Sequence, residues 1–323
     1  MLKKHFVQQQ WMNNGKIQHL IFSLFRLIFL LSISYIIVFP LLYMVSNSIK
    51  PLDQLIDPSV VWLPKNVTFD NFKLAAKAMN YWHSFLVSLR VDVVSALIQV
   101  FTCSFIAYGF ARFRFKGNTF LFGLVLLTII VPSQATIIPT YLNFTNVDFL
   151  EIVSLLRMIT GQSIKINLID SAATFYLPSL FGVGLRSGLF IFIYRQFYRN
   201  LPRELEEAAW IDGAGSFKTY FRIVLPLSGV AMLTVAIFSI VWHWNDYYLS
   251  SMYFSENFPL AVSLSQIRSG LQSTAGISEN GNPVLIRSML MAGCIMFIAP
   301  VLLMYLFLQK YFIKSIETVG IVG

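Results

Sequence analysis

The sequence predicts an all-α integral membrane protein with six transmembrane helices, both termini in the cytosol, and a helical cytosolic loop between spans four and five. Three observations predict this fold class. The 323 residues are 56% hydrophobic and only 12% charged, about half the charge of an ordinary soluble domain. Six stretches are long and apolar enough to cross about 30 Å of hydrocarbon, which takes about 20 residues of helix. The excess of Lys and Arg falls on one side of those stretches, as the bias of cytosolic loops requires.

The stretches lie near 24–46, 84–108, 119–142, 176–197, 228–250 and 288–309. Pro178, Gly182, Gly184 and Arg186 interrupt the fourth, which a membrane helix tolerates where neighbours re-satisfy its backbone. An even number of spans puts both termini on one side. That side carries 14 basic residues, among them Lys3, Arg112, Arg114, Arg199 and Lys310, against five acidic ones. The other side balances eight basic residues with eight acidic ones, so the first side is cytosolic. The first apolar run begins about 20 residues in and has no small-residue cleavage site after it, so it is expected to stay as the first helix. The organisation is a cytosolic arm over 1–23, a six-span domain over 24–309 with its cytosolic loop over 198–227, and a cytosolic tail over 310–323.

Several function classes fall away on composition. Net charge is +9, yet no block of Lys and Arg alternates with exposed aromatics as a nucleic-acid face needs. Cys103 and Cys294 sit inside apolar spans and read as small packing residues, not a disulfide framework. His243 has no second His or Cys at ligand spacing, so no metal site is expected. No nucleophile–base pair or carboxylate dyad points to catalysis. The run from Gly213 through Lys218 and Thr219 looks superficially like a phosphate-binding loop. It lacks the Gly before Lys and the preceding strand, so this chain is expected to bind no cofactor.

The most informative segment is the loop between spans four and five, where the chain reads EAAWIDGAGSFKTYFRIVLP from Glu207 to Pro226. Pro202 suits a first helical turn, and Glu204, Glu206 and Glu207 complement the positive end of the helix dipole. Leu205, Ala208, Ala209 and Ile211 give that helix a small apolar side. Asp212-Gly213 is a stop signal, with Gly supplying a left-handed cap. Ser216 caps a second helix carrying Phe217, Tyr220, Phe221 and Val224 back to the membrane, and Pro226 marks re-entry.

The spacing is Glu207-Ala208-Ala209, three residues, Gly213, nine residues, then Ile223-x-Leu225-Pro226. It resembles the EAA loop of ABC-importer permeases. Trp244-Asn245-Asp246, Gln309-Lys310-Tyr311-Phe312 and the closing Gly320-to-Gly323 tail are similar to the MalG-type carbohydrate permease family, so the resemblance covers most of the chain. It implies a multi-pass protein of the bacterial cytoplasmic membrane, without enzymatic activity of its own. The implied partners are a second homologous permease, two cytosolic ATPase subunits that use ATP and Mg²⁺, and an extracellular solute-binding protein. It implies that Glu207, Ala208, Ala209, Asp212 and Gly213 contact an ATPase, with Ile223, Leu225 and Pro226 completing the motif, and that the tail near Gly320 approaches the ATPase pair. The stretch 143–175 is longer than that family leads one to expect.

Polar residues inside spans are costly and often functional. The densest group is Trp242 to Tyr248, in which Trp244, Asn245, Asp246 and Tyr247 are candidates for a sugar path: aromatic faces for C–H surfaces, amide and carboxylate for hydroxyls. The same composition makes an interfacial aromatic belt, and the sequence leaves both open. Gln99 and Gln134 lie deeper, where each either lines a cavity or bridges helices. Long segments near 47–83, 143–175 and 251–287 face outward, either to dock a solute receptor or as solvated connectors. The resulting expectation is a permease subunit importing a sugar or oligosaccharide. The alternatives are an ABC importer for an amino acid, peptide or phosphate, and an ion-coupled secondary transporter, which predicts internal repeats and mid-span ionisable groups.

Overall fold

The computed structural model describes residues 2–60, 62–147, 166–276 and 282–320. Most of the 143–175 outer segment, Ser278, Glu279 and Asn280 of the third outer segment, and residues 321–323 lie outside the described residues. Among the described residues every regular element is helical. The chain divides into two compact units, Met1–Leu74 with Asn280–Ile295, and Ala75–Glu279 with Met296–Gly323.

In the first unit, α1 (Leu2–Ser48) runs without a break from the amino-terminal arm through the first expected span. Its apolar window buries none of its residues, so large side chains such as Leu20, Phe25, Ile36 and Leu42 stay exposed all round it. A helix apolar on every side belongs in hydrocarbon or inside protein. The chain then folds into a flap with one short helix, α2 (Leu52–Ile56), and the start of α3 (Asp70–Ala78). Side chains close this flap, because its backbone has little regular structure to satisfy itself. Buried Lys50 Nζ donates to the Val60 carbonyl at 3.1 Å, and Asn71 Nδ2 donates to the Ser48 and Lys50 carbonyls at 2.9 Å each. Ser46 and Trp62 are joined in the same way, hydroxyl to carbonyl.

The second unit is built around α4 (Tyr81–Arg112), 32 residues long and so about 48 Å. Beyond α5 (Asn118–Ile130), α6 (Ser133–Thr145) and α7 (Ala173–Leu180) comes α8 (Ser187–Asn200). Two helices of the loop region follow, α9 (Glu204–Ile211) and α10 (Ser216–Thr219). A π-helical turn (Tyr220–Val224) and α11 (Leu225–Leu227) then lead into α12 (Gly229–Trp244). The unit continues with α13 (Tyr248–Tyr253), α14 (Leu260–Ser265) and α15 (Ile267–Ala275); α16 (Pro283–Gly320), whose residues up to Ile295 belong to the first unit and the rest to the second, contains the last expected span. Helix α4 packs against α7, α8, α12 and α14. Where α4 meets α8 and α12, Cys103, Ala107, Phe190, Tyr194, Tyr198 and Val235 are fully buried.

Three expected spans are not single straight helices. The third, 119–142, stops at Ile130 and resumes at Ser133 after a 101° bend. Pro132 is the cause: it lacks an N–H and pushes Val131 out of the helical region, here to φ −68°, ψ 119°. The fourth, 176–197, is divided into α7 and α8 by residues 181–186, where Gly182 (φ 71°) and Arg186 (φ 61°) are both left-handed. The fifth is shorter than 228–250: α12 ends at Trp244, and its approach from Ser216–Leu227 is bent by 75°. Among the described residues, by length and composition, three helices can cross a membrane, or up to five if each bent pair counts as one.

The break between α7 and α8 lets backbone approach side chains. A Cβ on Gly184 meets Ser179 Oγ at 2.6 Å, and Gln99 Nε2 and Ser179 Cα at 2.9 Å. At the far end of the unit, Asp170 fastens the segment before α7 to the loop after α13. Its Oδ1 accepts the Ser255, Glu256 and Asn257 amides at 2.9, 3.0 and 3.2 Å, and its own N–H donates to the Tyr253 carbonyl at 2.8 Å. Partial burial pushes this carboxyl up, but the three amides and the Asn257 side chain outweigh it and hold it below its ordinary value.

Gly184→Ala forces the turn off Ser179 and Gln99, costing roughly 1–3 kcal/mol, which lowers the thermal midpoint in detergent; an unchanged midpoint means the contact is not close. The Asp170 tie is complete above the usual carboxylate range and lost as pH falls through its lowered folded-state value. A spin label at position 256 therefore gains mobility only below about pH 4, and Asp170→Ala is mobile at neutral pH.

Candidate functional site

The loop between α8 and α12 holds the motif residues. Glu204, Glu206 and Glu207 occupy the first turn of α9, where unpaired N–H groups favour negative charge. The helix ends in a Schellman arrangement: the Ala214 amide donates to the Ala209 carbonyl at 2.9 Å, and the Gly213 amide to the Trp210 carbonyl at 3.0 Å. Gly213 sits at φ 79° with nothing within 4 Å of a built Cβ. Its requirement is conformational, the left-handed cap that glycine adopts without penalty.

Helix α9 has two unlike faces. Ala209 is buried and Glu206 is 3% exposed, both turned to the protein. Glu207 and Ala208 are exposed, as is Asp212 just past the helix, and Ile211 is 87% exposed beside half-exposed Leu205 and Trp210. Ile223 and Leu225 are half-buried and Pro226 is exposed.

The inner face rests on α4 through groups that the motif does not contain. The Arg112 guanidinium lies 2.6 Å from Glu206 Oε1, with both side chains about 5% exposed. Tyr108 donates to Glu206 Oε2 at 3.0 Å, and Arg112 Nη2 donates to the Leu201 carbonyl at 2.9 Å. One helical turn further along α4, Ser104 Oγ bonds the hydroxyls of Tyr198 at 2.5 Å and Tyr220 at 2.8 Å. Both arms of the loop are therefore held by one face of α4. Tyr220 begins the π turn, a local irregularity frequent at functional positions. The sequence signal available for this anchor was Tyr108 and Arg112 at i and i+4, one face of a helix.

The other predicted residues are spread out. Gln99 is fully buried; its amide donates to the Leu185 carbonyl and Ser187 Oγ at 2.9 Å each, and its carbonyl accepts from Ser239 at 2.6 Å. It joins α4, α8 and α12. Along α12 from Ser239, His243 Nδ1 lies 2.8 Å from the Ser239 carbonyl. Trp244 is 4% exposed, its indole donating to the Phe297 carbonyl at 3.0 Å. Asp246 caps α13 by accepting the Leu249 and Ser250 amides. Asn245 donates to Val241, Tyr247 is half exposed, and Gln134 is exposed on α6.

The architecture is that of a multi-pass membrane permease subunit with a rigidly mounted helical loop. Residues 99–318 match the family described as binding-protein-dependent transport system inner membrane component, and the chain belongs to that family. It is a multi-pass protein of the cytoplasmic membrane, a non-catalytic component working with other ABC-transporter subunits and a substrate-binding protein, with ATP hydrolysis by separate partner subunits. It is 27% identical over 296 residues to the arabinooligosaccharides transport system permease protein AraQ of Halalkalibacterium halodurans, covering 90% of this chain and 93% of that one. It is 29% identical to the polygalacturonan/rhamnogalacturonan transport system permease protein YtcP of Bacillus subtilis, covering 89% and 93%. In fold it is similar to a chain of a bacterial ABC transporter involved in import of the acidic polysaccharide alginate, with TM-score 0.68, 20% identity, and coverage of 90% and 96%.

The buried ion pair yields a prediction. Arg112→Met leaves the Glu206 carboxylate buried without its cation, at a cost of about 3–5 kcal/mol. The double variant Arg112→Met with Glu206→Met regains most of that loss in a thermal melt. Equal losses in single and double variants mean the two side chains are not coupled.

Proposed function

We propose that this chain is one of two homologous permeases in an ATP-driven importer of sugars or oligosaccharides, with α9 as the helix that receives force from an ATPase subunit. The proposed organisation has six spans over 24–309, both termini and the 198–227 loop in the cytosol, and two ATPase subunits using ATP and Mg²⁺. The observation that carries the coupling role is the two-faced α9: its inner face is locked to α4 by Arg112, Glu206 and Tyr108, while Glu207, Ala208 and Ile211 stay exposed. A small, partly apolar face on a fixed helix suits insertion into a groove on a partner.

The sugar class is supported by the relatives, whose names specify arabinooligosaccharides and polygalacturonan or rhamnogalacturonan. Trp244, Asn245, Asp246, Tyr247, Gln99 and Gln134 remain the proposed path residues. Of these, Tyr247 and Gln134 are exposed. Substrate identity is tested by measuring uptake of labelled oligosaccharides against amino acids and phosphate.

Glu207→Lys tests the coupling role. It places a cation on the exposed face without touching the anchor, so the chain inserts normally while association with the ATPase weakens roughly tenfold or more and ATP-driven uptake falls with it. Normal uptake by the reconstituted variant overturns the assignment.

A further inference from the structure

At the end of the second unit that bears α9, the ends of α4, α5 and α8 line an open groove of about 360 Å³. Five arginines line it: Arg112, Arg114, Arg195, Arg199 and Arg203. Arg112 is engaged by Glu206 and the Leu201 carbonyl. Among the described residues, no carboxylate forms an ion pair with the other four. Arg195 lies over the Phe122 ring at 3.8 Å, and its Nε is buried without a hydrogen-bond partner. Arg114, Arg199 and Arg203 are exposed at the rim.

Four like charges around one groove repel each other, so an entering anion is stabilised by all of them at once. Guanidinium forks match phosphate oxygens two at a time. The surroundings identify the source of that phosphate. Exposed Phe113 and Phe115 line the same groove as the arginines, at the ends of helices that the family places in a membrane. A cation cluster beside apolar side chains at this level fits a lipid, with its headgroup in the groove and its acyl chains along the aromatics.

We propose that this groove binds the phosphodiester headgroup of an anionic phospholipid, of the phosphatidylglycerol or cardiolipin type. The proposal rests on the reading that this end of the protein faces the cytosol at the membrane surface. The lipid fixes the ends of α4 and α8, the two helices from which the coupling loop is hung.

The experiment uses the full chain, extracted with the subunits that co-purify. It counts retained lipid by native mass spectrometry after exchange into detergent with phosphatidylglycerol, cardiolipin or phosphatidylcholine. The wild type is expected to retain anionic lipid and not phosphatidylcholine. Arg114→Gln with Arg199→Gln removes two rim charges, each contributing about fivefold near an anionic surface, so retention falls about thirtyfold; Arg114→Lys with Arg199→Lys keeps most of it. Equal retention of phosphatidylcholine, or no change in the Gln variant, overturns the proposal. So does inorganic phosphate alone stabilising the protein as much as lipid does, which makes this a free-phosphate site. Unchanged lipid with loss of a co-purifying subunit overturns it too, by assigning the arginines to a protein partner. Lys116→Cys separates this from the topology. Labelling from outside the cell removes the cytosolic reading and the proposal together, whereas labelling only from inside, with no lipid retained, removes the proposal alone.

Discussion

A polar group inside a membrane protein must find its partner within the protein, because lipid offers none. That constraint shapes the second unit through α4. Its Ser104, Tyr108 and Arg112 share one face of the helix and Gln99 lies on the opposite one, and between them they hold the start of α8 and α12, then Tyr198 and Tyr220, then α9. The bonds are specific in direction as well as in partner, so they fix rotation and depth where apolar packing alone tolerates sliding. The aromatic core of Phe190, Tyr194 and Tyr198 fills the space that these ties define.

Much of this was legible in the sequence, and the unreadable parts share a cause. The loop was readable because its signals are local: acidic residues at a helix start, Asp212-Gly213 at its end, and the Ile223-x-Leu225-Pro226 finish. The Schellman cap at Gly213 is what that pattern encodes. The bends were encoded as locally, since Pro132 lies in the third stretch and Gly182 and Arg186 in the fourth. Hydropathy averages over a window and does not register a single residue lacking an N–H. What local pattern could not supply was Glu206 pairing with Tyr108, 98 residues away. Its neighbour Glu207 has the same chemistry and faces outward, and only the packing of α9 on α4 separates them.

The Trp244 to Tyr247 group illustrates a different ambiguity. Aromatic rings beside an amide and a carboxylate suit a sugar, and they equally suit the end of a helix. In this arrangement Trp244 donates to a backbone carbonyl and Asp246 accepts the first amides of α13. Residue type specifies which bonds a side chain can make; the backbone around it decides which are made. Tyr247 and Gln134, both exposed, are not committed to helix ends in this way.

Force transmission needs a stiff element between a partner's contact and the transmembrane core. A buried ion pair adds little net stability over an apolar substitute, so its presence between α9 and α4 is better explained by what it does to geometry. Arg112 bonds both a carboxylate on α9 and the carbonyl that ends α8, so a displacement of α9 cannot be absorbed by slippage at either contact without stranding a charge. The exposed face of α9, the pair beneath it and α4 are thus directly connected. The far half of α4 is fastened to α12 by the Gln99–Ser239 bond and to the start of α8 by the Gln99–Ser187 bond.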